Sequence, residues 1–380
     1  MSTLRKPRRL SAGIALAAVA ALTLSACGTS DAPAGEGDGN GSNAATATSL
    51  ADFGTLEDLE KAAIAEGKLN VIALPRDWAN YGEILDAFAA KYPDIEIVEQ
   101  SPDVSSAEEI QAAENNKGLD TAPDVFDLGL TVALQSTDQF APYKVANWDD
   151  IPDALKEPSG LFVGDYGGYM SVGYDSSKLP EPKKLEDLLK SDYKASVALN
   201  GDPTQAGAAF GAIGLATVLN GGDLDNYQPG IDFFAEVNKA GNFIKVDATP
   251  ATVASGETPV VFDWDYLNAA HTKDNPDWKV VVFDGTGYAA YYNQAINVDA
   301  PHPAAARLWQ EFLYSDDAQN MWLAGGARPV RMEAMIEAGT IDKALADALP
   351  AAPTDTVVPT EAQSSAAGKL LGEKWAAAVQ

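Results

Sequence analysis

The chain has 380 residues and sets 26 Lys and Arg against 55 Asp and Glu, a formal net charge of −29 at pH 7. So acidic a protein repels phosphate backbones and anionic headgroups, which excludes nucleic acid as a partner. One cysteine, Cys27, rules out an intramolecular disulfide or a cysteine-based zinc site, and the length exceeds what one hydrophobic core fills, so two lobes are expected.

At the N-terminus Arg5, Lys6, Arg8 and Arg9 precede an apolar run from Ile14 to Leu24. That run is shorter than the roughly 20 residues a membrane span needs, so residues 1–26 read as a signal peptide. Arg8-Arg9 is half a twin-arginine signal and leaves Sec and Tat export both open. Leu24-Ser25-Ala26-Cys27 resembles a bacterial lipobox, which makes Cys27 the acylated first residue of the mature chain. Residues 27–49 are mostly Gly, Ser, Ala, Thr, Asn and Asp, a composition with too little apolar surface to fold, and read as a tether.

From there strands and helices alternate. Thr55 and Asp58 stand in capping-box-like positions before Leu59, Ala62 and Ala63, and Gly67 ends that helix. Lys68–Leu74 reads as a buried strand. Ile84, Leu85, Phe88 and Tyr92 then recur at helical spacing up to Pro93. Residues 95–98 form a second strand, 105–115 a helix and 124–128 a third strand, so the opening is βαβαβ and argues for a mainly parallel sheet covered by helices. Ligands of such sheets bind beyond the carboxyl ends of strands, where the loops from Pro75 and Gly129 begin.

The pieces KLNVIALPRDWANYGEILDAFAAKYPDIEIVE, GGYMSVGYDSSKLP, KKLEDLLKSDYKASVAL, YNQAINVDAPHPAAARLWQEFLYSDDAQ and GARPVR occur in this order. Together they resemble the periplasmic solute-binding proteins of ABC importers, although that family often has Gly where Ala195 stands and an aromatic where Leu185 stands. The resemblance implies an α/β, two-lobed type II periplasmic-binding-protein fold, each lobe a mainly parallel sheet flanked by helices, hinged by crossover strands. One lobe would comprise 50–174 plus 290–380, the other 175–289. It implies a monomeric, non-enzymatic receptor without cofactor or metal, tied by lipid on Cys27 to the outer face of the cell membrane, that passes a small solute to an ABC permease.

Four stretches offer the rings and polar groups that such a cleft requires. In Arg76–Tyr81, Trp78 and Tyr81 form either a ligand wall or helix packing, and Arg76 either binds an anion or pairs with an acid. In Asn200–Gly207, Asp202 and Pro203 suit a helix N-cap and first turn, while Asp202 equally suits an ammonium ligand. Val260–Tyr266 runs an apolar strand into Asp263, Trp264, Asp265 and Tyr266. Tyr288–Asn293 brings Tyr291 and Asn293 ahead of an apolar strand.

The spermidine/putrescine-binding branch is similar at these places, with an acidic pair near Asp202, a cleft tryptophan like Trp264, and an aromatic–aspartate pair like Tyr291 and Asn293. Here Gln205 and Asn293 replace two of its carboxylates. Resemblance therefore suggests a polyamine or related cationic amine bound by Trp78, Tyr81, Asp127, Asp202, Gln205, Asp263, Trp264, Asp265, Tyr291 and Asn293. The alternatives are an anionic or zwitterionic solute such as an aminophosphonate, held by Arg76 and the helix start at Pro203, or ferric iron. Iron binders have tandem tyrosines near the third stretch, where this chain has Tyr266 alone. Gln363 reads as a surface helix cap. A secreted hydrolase lacks its signature, since Gly168–Gly173 has the wrong spacing for a nucleophile elbow. His302, between two prolines at a helix entrance, reads as structural, and His271 lies in a polar run.

Overall fold

The computed structural model describes residues 44–380. The signal peptide, Cys27 and most of the tether lie outside the described residues. The last tether residues are docked on the body: Ala44 and Ala47 are buried, and Arg307 Nε donates to the Ala47 carbonyl at 2.8 Å.

The first layer comprises helix α1 (Leu56–Glu66), strand β1 (Lys68–Ile72), α2 (Tyr81–Lys91), β2 (Glu96–Gln100), α3 (Ser106–Asn115), β3 (Val125–Gly129), α4 (Leu130–Gln135) and β4 (Phe140–Ala141). Local chemistry sets most of these bounds. Thr55 caps α1 by accepting the Asp58 N–H, and Gly67 ends it at φ 72, a left-handed conformation open to glycine. Ser105 and Glu108 cap α3, the Ser105 N–H donating to Glu108 at 2.8 Å. Tyr81, Ile84, Leu85 and Phe88 make the buried face of α2.

The long strand β5 (Phe162–Asp175) leads to β6 (Val197–Leu199), α5 (Gly207–Leu219), α6 (Gln228–Ala240), α7 (Pro250–Ser255), β7 (Val260–Trp264), α8 (Asp265–Ala270) and β8 (Trp278–Val281). A second long strand, β9 (Thr286–Asn297), returns the chain. It is followed by α9 (Pro303–Leu313), α10 (Asp316–Ala324), β10 (Arg328–Pro329), α11 (Met332–Ala338), α12 (Lys343–Ala348), β11 (Asp355–Val357) and α13 (Glu361–Ala378).

Among the described residues β1 and β2 pair in parallel as a sheet of their own, and the other nine strands form one mixed sheet. In it β6–β7 and β11–β9 are parallel, whereas β5 and β9 run antiparallel to each other and to most of their neighbours. Parallel pairing thus survives where helices link successive strands, and the two long strands break it because they pass in opposite directions. β5 changes partners along its length. Phe162–Tyr169 pairs with β9, and Met170–Asp175 with β7 and β8. β3 and β4 pair with β9 near its far end, so two groups of strands meet through β5 and β9.

His302 behaves as the sequence indicates. It heads α9, its N–H donates to Asp124 at 2.7 Å, and its ring lies 2.9 Å from the same carboxylate. Glu66 accepts the Ala304 and Ala305 N–H groups, placing negative charge at the positive end of α9. The C-terminal segment touches elements on both sides of the expected lobe boundary, since α13 also packs against α4. β11 pairs with the start of β9, and α13 packs on α6 through Trp375 against Phe234, with ring centroids 5.9 Å apart. Residues 355–380 therefore pack against elements of the 175–289 segment. Among the described residues no helix is long and apolar enough to cross a membrane.

Candidate functional site

A cavity of about 610 Å³ opens where the two strand groups meet. One wall comes from the start of α4 at Gly129–Val132 and from Leu155 and Phe162; the facing wall comes from Pro203–Phe210 at the entry to α5 and from Trp264 at the end of β7. Tyr288–Asn293 of β9 form the floor, and Val358–Ser364 of the tail cover one side.

The rings are fixed by one another. Trp264 stacks on Tyr288 with centroids 6.3 Å apart, and the Tyr227 hydroxyl donates to that of Tyr288 at 3.3 Å. Tyr292 stacks on Tyr166 at 5.5 Å with planes 8° apart, and Trp78 meets the Tyr292 edge at 5.7 Å. Such pairs add about 0.5–1.5 kcal/mol each beyond their burial, so the floor is rigid before any ligand arrives. Gly167 permits this packing: a Cβ there would lie 2.8 Å from the Tyr291 ring.

Helix α5 begins later than the sequence suggests. Asp202 caps nothing in it, because its carboxylate accepts the Thr204 N–H at 2.7 Å and the Thr204 hydroxyl at 2.6 Å within its own turn. The N-cap is Ala206, which has no side-chain acceptor, so α5 starts at Gly207, beside the cavity, without a side-chain cap.

The cavity gathers Gln205, Trp264, Tyr291 and Asn293 from the expected site residues. Asn293 is tied down by its amide, which donates to the Leu128 and Tyr291 carbonyls at 3.3 and 3.1 Å. Tyr291 is half-buried, and burial pushes its phenol up to about 12.

The other expected residues lie elsewhere. Trp78 sits one layer behind the wall, its indole N–H donating to the Tyr166 hydroxyl at 2.8 Å. Tyr81 is fully buried against Tyr166 and Trp322, the packing role of the helix start. Asp127 accepts from the Tyr166 hydroxyl at 3.0 Å and from Gln294 at 3.3 Å; Gln294 also donates to Asp165 at 2.9 Å and to the Tyr81 hydroxyl at 3.0 Å. Burial pushes both Asp127 and Asp165 well above the usual carboxylate range.

Asp263 is buried and accepts from Asn200 at 2.9 Å and from the Trp264 N–H at 2.8 Å, and burial pushes it up to about 7. Asp265 pairs with Arg328 at 2.6 Å and accepts the Tyr169 N–H at 3.0 Å. Asp202 is exposed and lines a small groove beside Trp375 instead. Arg76, the proposed anion ligand, is exposed and held by Glu99 at 2.9 Å and Asp86 at 3.0 Å, outside the cavity lining.

Sequence reasoning missed Phe162, Phe210, Tyr288, Tyr292 and Ser364 as cavity residues. Tyr288 and Tyr292 belong to the aromatic run around Tyr291 and carried a usable signal. Ser364 carried none, since it reaches the site through the docking of α13. Gln363 completes the α13 capping box with Thr360 and donates to Asp225 at 2.8 Å, in agreement with the surface-cap reading. Among the described residues no group of three or more His, Cys, Asp and Glu is placed to hold a metal ion.

Solved structures share this architecture. An ABC transporter substrate-binding protein from Bradyrhizobium japonicum aligns at 18% identity and a TM-score of 0.64, over 83% of this chain and 100% of that one. The periplasmic binding protein AfuA from Actinobacillus pleuropneumoniae, with fructose-6-phosphate bound, aligns at 17% and 0.63, over 82% and 98%. A putative spermidine/putrescine ABC transporter protein from Listeria monocytogenes aligns at 14% and 0.62, over 81% and 98%. At these identities the likeness is one of fold, that of the type II periplasmic binding proteins. No curated protein matches the sequence. The sequence model of the bacterial extracellular solute-binding proteins matches residues 122–354, more than half of the chain, and the protein therefore belongs to that family.

Proposed function

We propose that this protein is the receptor of an ABC importer, held to the outer face of the cell membrane by lipid on Cys27, which takes a small solute into the cavity and presents it to a permease. The observation that carries this reading is the cavity itself. Its walls come from two strand groups joined by β5 and β9, so a solute touching both walls favours their approach. The lobes in this reading are 50–174 with 290–354, and 175–289 with 355–380. The Arg328–Asp265 pair links β10 to α8 across the junction.

The geometry weighs against a polyamine. Asp127, Asp263 and Asp265 are committed to neighbouring donors, Asp202 faces another groove, and Gln205 and Asn293 carry no charge. It weighs equally against an anion held by Arg76, whose guanidinium serves an exposed ion-pair cluster.

The mature protein purified from its own cells, examined by native mass spectrometry, is expected to carry or capture a small molecule from growth medium, and deleting its gene is expected to abolish uptake of that molecule. Unimpaired uptake, or a protein that captures nothing, ends the receptor reading. Cys27→Ala is expected to release the protein from the membrane fraction.

A further inference from the structure

We infer that the solute is an uncharged molecule carrying a flat ring, enclosed beneath the C-terminal helix α13; this deepens the receptor reading and rests on it. Three observations carry the inference: the rings, the state of the nearby charges, and the polar atoms left over.

Trp264, Tyr288, Tyr291, Tyr292 and Phe210 dominate the lining, with Leu130 and Leu155 opposite. Surfaces of this kind favour stacking on a planar partner, and the volume lies within the range of sites for mid-sized organic molecules.

The charged lining residues are Lys156, Glu157 and Glu361. Lys156 Nζ donates to the Trp148 carbonyl at 3.0 Å and pairs with Asp153 at 3.3 Å. Glu157 accepts the Ser159 and Leu161 N–H groups, both at 3.0 Å, within its own turn. Glu361 is solvent-exposed in the first turn of α13, where the helix amides favour it. An ion seated on the rings would therefore lose its water without meeting a dedicated counter-charge, a large penalty that a neutral ring avoids.

The remaining polar atoms suit a neutral molecule with an acceptor and a hydroxyl or amide. Ser364 is 1% exposed, lines the cavity, and its hydroxyl has no hydrogen-bond partner among the described residues. Gly207, the first residue of α5, lies in the wall, and the helix start there has no side-chain cap. Ser364 reaches the cavity from α13, beyond residue 354, where the family match ends.

The test uses the mature protein and titrates adenosine, riboflavin and indole against spermidine and fructose 6-phosphate by calorimetry. At least one neutral ring compound is expected to bind with a micromolar or lower Kd, weakened at least tenfold by Trp264→Ala and several-fold by Ser364→Ala. Gly368→Phe supplies a variant whose folding is not at issue. Gly368 lines the cavity and a Cβ there meets nothing within 4 Å, so the new ring is expected to occupy ligand space and abolish binding while circular dichroism stays unchanged. Tighter binding of spermidine or fructose 6-phosphate than of every neutral ring, silence of all three rings, or ring binding indifferent to Gly368→Phe would overturn the inference. If a charged solute is then captured from growth medium, the receptor reading stands and this one falls; if nothing is captured, both fall.

Discussion

The cavity floor and the layer directly behind it use the same strands in opposite ways. In front, the half-buried rings of Tyr291 and Tyr292 meet an open volume, and Trp264 and Tyr288, 3% and 2% exposed, pack at its edge. Behind, Asp127, Asp165, Tyr81, Tyr166 and Gln294 form a closed polar network, with no Lys or Arg among its hydrogen-bonding partners. Asp265 is a third case, a buried carboxylate that does have a cation in Arg328. The contrast teaches that acids near a cleft are not thereby ligands. Burial raises the free energy of a charge, and the fold meets that cost with a donor, a proton or a cation before any solute arrives.

The largest expected effect comes from breaking the buried Asp265–Arg328 pair. Arg328→Met leaves Asp265 buried and uncompensated, and urea unfolding should show a loss of about 3 kcal/mol. Adding Asp265→Asn should return much of it. If Arg328→Met alone is neutral, the ion pair does not hold α8 to β10 and the contrast between the acid sets collapses.

A middle-sized effect should appear in the pH dependence. Burial pushes the Asp263 carboxyl up to about 7 in the folded chain, against an ordinary value of 3.8. Between those two values the folded chain keeps a proton that the unfolded chain releases, so its contribution to stability is full at low pH and is lost as pH rises toward 7. Asp263→Asn cannot lose that proton. Its stability relative to the natural protein should therefore improve by about 1–3 kcal/mol from pH 4 to pH 8, read from urea midpoints at each pH. A difference that stays flat over this range removes the claim that burial, unopposed by a cation, sets the state of Asp263.

The smallest effect is a backbone one that touches neither layer. Ala195 has φ 47, a left-handed conformation that disfavours a Cβ, and its N–H donates to the Gly241 carbonyl at 2.9 Å. Ala195→Gly should raise stability by about 0.5–1 kcal/mol in thermal unfolding and leave solute binding unchanged. A shift in binding would mean that the turn before β6 communicates with the cavity.

Much of the architecture was legible because short-range chemistry specifies it. Thr55 and Gly67 bracket α1, Ser105 and Glu108 start α3, and the apolar spacing of Ile84, Leu85 and Phe88 selects the buried face of α2. The order of strands and helices, together with the quoted family-like segments, was enough to indicate the α/β class and a solute-binding protein. The aromatic run at Tyr288–Tyr292 stood out in sequence, but of its rings only Tyr291 was expected to meet a ligand.

What tertiary structure alone decided is the destination of each polar group. An aspartate at a strand end looks alike in sequence whether it meets an ammonium, an arginine or a tyrosine hydroxyl, because partners such as Arg328 and Asp265, or Gln294 and Asp127, are far apart in the chain. The position of α13 was hidden for the same reason. Its capping signals at Thr360 and Gln363 are local, but its seat on α6, which delivers Ser364 to the cavity, rests on Trp375 meeting Phe234. Period and capping act within a few residues, whereas burial is settled between distant segments, and it is burial that separates a ligand group from a structural one.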